Sequence, residues 1–246
     1  MRALLLAALT VLSFATARCP GQDLSPATAS STLRKAVEFF RTRVSSHGGY
    51  LWRYSDDLSA REGENAVDAE TIWVQPPGTL AVGQSFLTAY ETTGEACYLD
   101  AARDAAMALV QGQLRSGGWT YRISFDLAKR AEFAYRTDPE HQRAFNVSTL
   151  DDNTTQAALQ FLMRVDKTLE FKHEKIHEAA QFGLESMLKA QFPNGAWSQG
   201  FDSFPNPEKF PAKKARFSAD WRQDARIKNY WNHYTPVSYT HLTLPT

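Results

Sequence analysis

The feature that most constrains this chain is a repeated pattern of helix, short turn and Gly/Trp loop. One copy runs through Tyr98, Leu99, Ala102, Ala105, Ala106, Leu109, Val110 and Gln113, and then Ser116-Gly117-Gly118-Trp119. A second runs through Ile176, Ala179, Ala180, Gly183, Leu184, Met187, Leu188 and Gln191, and then Pro193-Asn194-Gly195-Ala196-Trp197. A degenerate earlier copy, Leu33, Ala36, Val37, Phe40 and Val44, leads into His47-Gly48-Gly49-Tyr50-Leu51-Trp52. Apolar residues spaced by three and four lie on one face of an α-helix. A glycine after the last turn suits a left-handed helix end. Each better copy follows another helical stripe: Val82-Gly83, Phe86-Leu87 and Tyr90, entered through Pro76-Pro77-Gly78, and Ala157-Ala158, Phe161-Leu162 and Val165, entered through Asp152-Asn153-Thr154. Such hairpins bury their faces only against neighbours, so they stack into a solenoid or close into a ring. The expected fold is all-α, an (α/α) toroid of repeated helical hairpins, incomplete at the C-terminus, with the Gly/Trp loops on one rim. Strand signals are confined to short pieces such as Trp119 to Ile123. Ser55–Thr71 and Gly200–Lys214 read as long loops, a length often used for binding or lid elements.

Both ends stand outside that pattern. Arg2, the apolar run Ala3 to Ala15 and the small-x-small triplet Ala15-Thr16-Ala17 read as a secretory signal over residues 1–17. The run is too short to span a membrane, so the expected location is secreted or periplasmic. In that compartment Cys19 and Cys97 are permitted, but not required, to pair. Val237 to Thr246, VSYTHLTLPT, has no helical periodicity and resembles the translation of a sequencing adapter. It is left out of the fold reading, which makes residues 18–236 one partial domain whose natural sequence is expected to continue past Pro236.

Lys and Arg number 27, and so do Asp and Glu. That balance argues against nucleic acid, whose binders carry a basic stripe. A polyanionic substrate stays open, because local basic groups matter more than the sum. The chain is expected to be a monomer.

Chemistry concentrates at Thr149-Leu150-Asp151-Asp152-Asn153-Thr154-Thr155, where a helix begins. One Asp or Asn would cap that helix and suit its dipole. Asp151, Asp152 and Asn153 together supply adjacent hard oxygen ligands of the kind Ca²⁺ prefers.

From Thr149 to Phe201 the chain resembles polysaccharide lyase family 10, the pectic acid lyases. That family carries Thr-Ile-Asp-Asn-Gly-Ala-Thr before a helix ending in Phe-Leu-Ala-Arg-Val, and later Ala-Gln-Tyr-Pro-Asn-Gly-Gly-Trp-Pro-Gln. The counterparts here are Thr149 to Thr155, Phe161-Leu162-Met163-Arg164-Val165, and Ala190-Gln191-Phe192-Pro193-Asn194-Gly195-Ala196-Trp197-Ser198-Gln199. Asp152-Asn153 aligns with the family's Asp-Asn pair and Asp151 with its Ile; Ala196 and Ser198 replace Gly and Pro. Trp73 to Thr79 and Gly117-Gly118-Trp119 extend the resemblance upstream. It implies calcium-dependent β-elimination on polygalacturonate, with Asp151, Asp152 and Asn153 as metal ligands. It assigns no catalytic base here, because the family's arginine base lies beyond Trp231-Asn232-His233-Tyr234-Thr235, so turnover by this chain alone is expected to be negligible.

Trp119, Tyr121, Arg122 and Trp197 fall in the rim loops as candidate substrate-binding residues. For each tryptophan the preferred reading is a plug at a hairpin end, for Arg122 a solvated charge, and Tyr121 suits either role. Lys213, Lys214 and Arg216 form a small basic cluster. His173 and His177, four apart on a helix, read as an exposed face with no carboxylate fixed beside them. Two rivals share the same residues: an inverting glycoside hydrolase with Asp151 or Asp152 as acid or base, and a non-catalytic carbohydrate-binding or scaffold protein.

Overall fold

The structure is a computed structural model that describes residues 25–211. Its elements in chain order are α1 (Pro26–Phe39), β1 (Arg53–Tyr54), β2 (Arg61–Glu62), β3 (Thr71–Trp73), α2 (Thr79–Thr93) and α3 (Ala96–Gln111), then β4 (Arg122–Ser124), α4 (Leu127–Arg130), β5 (Ser148–Thr149), α5 (Thr154–Thr168), α6 (Glu174–Lys189) and β6 (Gly200–Phe201). A π-helical turn, Phe40–Val44, continues α1. The chain divides into two units, residues 1–36 and 37–246. In the first, the described residues are the start of α1. The signal-like residues, Cys19, the Lys213-Lys214-Arg216 cluster and the adapter-like tail lie outside the described residues.

The second unit is mostly helical, as the periodicity predicts. The α2 stripe buries Gly83, Phe86 and Leu87, the α3 stripe buries Tyr98, Ala102, Ala105, Ala106 and Leu109, and the α5 stripe buries Ala157, Ala158, Phe161, Leu162 and Val165. All meet in one core. Gly83 marks a close crossing, since a Cβ there would lie 2.5 Å from the Phe161 ring. The strands are short antiparallel pairs: β1 with β2, β3 with β4, and β5 with β6. Two close a repeat, joining the strand before a hairpin to the strand after its Gly/Trp loop. The supposed loop Ser55–Thr71 contains β2 and runs into β3.

The repeat holds at atomic detail. Trp119 donates its indole N–H to the Leu109 carbonyl and Trp197 donates to Met187, each 2.8 Å and ten residues back. Gln113 donates to the Gly117 carbonyl, 2.9 Å, as Gln191 does to Gly195, 2.8 Å. Gly117 and Gly195 take positive φ, 109° and 84°. These glycines shape the loop turn and do not end the helices: α3 closes on Gly112 at φ −107° and α6 on Ala190 in right-handed geometry. The left-handed helix end expected after the second helix is found after α2 instead, at Gly94, φ 73°.

A threonine links consecutive copies. The Thr79 hydroxyl accepts from the Tyr50 N–H, 2.9 Å, and donates to the Tyr50 carbonyl, 3.1 Å. Thr155 does the same to Trp119, at 3.1 and 3.2 Å. Thus the first helix of each hairpin clamps the Gly-Gly-aromatic loop of the copy before it. This satisfies the buried Tyr50 and Trp119 N–H groups, whose own carbonyls already accept from the Trp73 and Thr149 N–H groups.

Candidate functional site

The candidate site is built where three copies meet at the start of α5. Asp151 and Asp152 form a short 3₁₀ turn with Asn153, and both Asp152 and Asn153 are left-handed, φ 48° and 58°. Asp and Asn tolerate that region better than other side-chain-bearing residues. The kink turns these side chains away from the helix they precede: no side-chain hydrogen bond caps α5. Capping therefore does not account for the Asp-Asp-Asn run.

The side chains meet partners from distant sequence. Gln75, from the turn before α2, donates to Asp152 Oδ2 at 2.8 Å. Tyr121, just past the first Gly/Trp loop, donates its hydroxyl to Asp151 Oδ2 at 3.2 Å. Gln199, just past the second loop, donates to that same oxygen. Trp73 fixes Gln75 through its indole N–H on Oε1, 3.0 Å.

The electrostatics are those of crowded negative charge. Burial, then the neighbouring Asp151, then Glu64 hold the Asp152 carboxyl above its ordinary value. Burial foremost, with Asp151 and Asp152 adding to it, pushes the Tyr121 hydroxyl up to about 12. Tyr121 therefore remains a proton donor to Asp151 across the physiological range.

For a calcium ion the donor chemistry fits: Asp151 and Asp152 offer carboxylate oxygens, Asn153 an exposed amide beside them, and the raised Asp152 carboxyl marks a place where a cation relieves repulsion. Among the described residues no group of three His, Cys, Asp or Glu side chains is gathered tightly enough to hold a metal ion.

The other sequence candidates divide. Tyr121 and Arg122 both face a groove beside the acidic pair. Trp119 is fully buried, which corrects its place among the substrate-binding candidates: its ring plugs the end of α3, out of reach of a sugar. Trp197 is half-buried and plugs α6 in the same way. His173 caps α6, accepting from the Ile176 N–H, and His177 pairs with the buried Asp166 at 2.8 Å, so a carboxylate does stand beside this pair and holds it as structure. Gln75, Glu64 and Gln199 escaped sequence reading. Gln199 carried a signal, as the last residue of the Gly/Trp motif, and Gln75 one as part of the Trp73–Thr79 resemblance; Glu64 carried none.

Comparison with known proteins bears on the same stretch. The pectic acid lyase family model matches residues 126–217. None of the curated proteins matches the chain. Among solved structures, a family 10 polysaccharide lyase from Cellvibrio cellulosa is 19% identical with a TM-score of 0.42. A mutant of that lyase in complex with trigalacturonic acid is 18% identical with a TM-score of 0.40. Each overlay covers 68% of this chain and 54% of the other, so the chain spans about half the length of the structures it matches. The likeness to the pectic acid lyases is thus shown by the family model over residues 126–217, the stretch that holds Asp151, Asp152, Asn153 and Trp197.

Proposed function

We propose that this chain is the front part of a secreted pectate lyase-like protein that cleaves polygalacturonate by calcium-dependent β-elimination. The observation that carries the reading is the convergence of Gln75, Tyr121 and Gln199 on Asp151 and Asp152, within the stretch that matches the family model. Asp151, Asp152 and Asn153 hold the ion in this proposal. When bound, Ca²⁺ acts as a Lewis acid that neutralises the uronate carboxylate and so acidifies the C5 proton. The chain's own residues orient: Gln199 and Tyr121 hold Asp151, and Gln75 holds Asp152. None of them moves the C5 proton, a step the resemblance assigns to an arginine beyond Thr235.

The toroid belongs to the same proposal. It is supported by the threonine clamp between copies and by an apolar stripe on the second hairpin, where Met163, Phe171 and Leu188 are exposed as a face for a further hairpin. Among the described residues no helix is long and apolar enough to cross a membrane.

The raised Asp152 carboxyl also favours one rival, an inverting hydrolase, which needs one carboxyl held protonated as general acid. The decisive assay uses the full-length protein on polygalacturonate, with calcium and with chelator. Ultraviolet-absorbing unsaturated products that vanish with chelator are the expected result. Reducing ends without unsaturation point to the hydrolase instead, and binding with no cleavage to a scaffold. For the chain as given, calcium binding without measurable cleavage is expected.

A further inference from the structure

Beside the acidic pair lies an open groove of about 430 Å³ that the reaction does not use. Its walls include Trp73, Tyr121, Phe133 and Phe145. Phe145 is 45% exposed. Its backbone is held in place. Phe133 and Phe145 form a β-bridge, the Phe145 N–H donates to the Glu132 carbonyl at 2.7 Å, and its carbonyl accepts from Ala134 at 2.9 Å. Behind it the rings form a ladder: Phe145 meets Phe133 edge-on at 6.0 Å, and Phe133 stacks on the buried Tyr135 at 5.4 Å. An outward-facing aromatic with a fixed backbone, backed by a second ring, suits the flat C–H face of a pyranose.

The charges around the groove choose which pyranose. Among the described residues Glu64 and Glu132 line it against a single cation, Arg122. Asp151 adjoins it through Tyr121. With Ca²⁺ offsetting Asp151 and Asp152, a uronate carboxylate here still meets two carboxylates, Glu64 and Glu132, against Arg122 alone among the described residues. A neutral ring meets none of that repulsion, and its hydroxyls find carboxylate acceptors and the Arg122 donors.

We infer that this groove is a subsite for an uncharged pyranose, such as a methyl-esterified galacturonosyl residue, flanking the charged residue at Asp151 and Asp152. The inference rests on the reading of the acidic pair as an oligouronate site. It gives Phe145 and Glu132 a part in specificity: the ring attracts the neutral sugar and the carboxylate repels the charged one.

The test is titration of the chain, in calcium, with trigalacturonate and with the same trimer carrying one terminal methyl ester. A trimer ending in neutral galactose separates ester recognition from a general preference for uncharged rings. The esterified trimer is expected to bind roughly fivefold tighter than the charged one, and F145A to remove that advantage, within the range of aromatic contact energies. E132Q is expected to tighten the charged trimer while sparing the esterified one. Phe145 is exposed and Glu132 lies on the surface, so circular dichroism should show both variants folded, and F145L serves if F145A does not fold. If charged and esterified trimers bind alike and neither variant alters them, the subsite is overturned while the lyase reading stands. If neither trimer binds with or without calcium, both are overturned.

Discussion

At the scale of single residues, Asp152 carries the most. Its carboxyl is raised above the ordinary 3.8 by burial, by Asp151 and by Glu64. Because the folded value exceeds the unfolded one, the protonated form favours folding. That stabilisation is fully present below about pH 3.8 and is lost as pH rises through the raised folded value. At neutral pH the ionised group therefore opposes the fold. D152N keeps the size, tolerates φ 48° and deletes the charge. Its melting midpoint should exceed that of the parent at pH 7, and the gap should close below pH 4. Calcium should reverse the order, raising the parent's midpoint by mass action and leaving D152N where it was. A calcium-insensitive parent would show that the negative crowding at Asp152 is not there for an ion. Sequence reading reached Asp151, Asp152 and Asn153 because three polar oxygen donors in a row exceed what one helix start requires. It reached Gln75 only as part of the Trp73–Thr79 resemblance and Glu64 not at all, since nothing local marks a role set by a partner 77 or more positions away.

Between residue and fold stands the hairpin, the unit the periodicity revealed. Helical stripes were legible because burial on one face dictates spacing by three and four, and Ala157, Ala158, Phe161, Leu162 and Val165 are buried as that spacing demands. Ring direction was not legible. Trp119 and Tyr121 are two apart beside one loop, yet one is sealed in the core and the other reaches Asp151. The glycines misled for a related reason: Gly117 and Gly195 sit near helix ends in sequence, but their left-handed geometry serves the loop turn. What joins hairpins is the Thr79 and Thr155 clamp, and it can be tested without disturbing volume. T155V keeps the shape and leaves the buried Trp119 N–H without its partner, while the Trp119 carbonyl keeps the Thr149 N–H. The cost should be about 1–3 kcal/mol in urea unfolding. T155S, which restores the hydroxyl, should recover most of it. Equal loss in both variants would place the contribution in the threonine methyl group and not in the clamp.

For the whole molecule, the question is whether the hairpins continue into a ring. Leu188 stands nine residues before Trp197, as Val110 stands nine before Trp119. Val110 is buried, 4% exposed, whereas Leu188 is 61% exposed. Met163, Phe171 and Leu184 line a groove of about 210 Å³ on the same hairpin, so an apolar surface the first copy hides is bare on the second. In a toroid each hairpin is covered by the next, and this face is the one the proposal leaves for a third. L188E separates the two cases. In the chain as given the side chain meets water, and the substitution should alter stability by less than about 0.5 kcal/mol. In the full-length protein a toroid buries that position, and an unpaired carboxylate there should cost about 2 kcal/mol or more. Thermal unfolding of both forms, measured side by side, reads the difference directly. A null effect in both would mean that nothing covers the face, and the ring would give way to an open stack that ends at this hairpin.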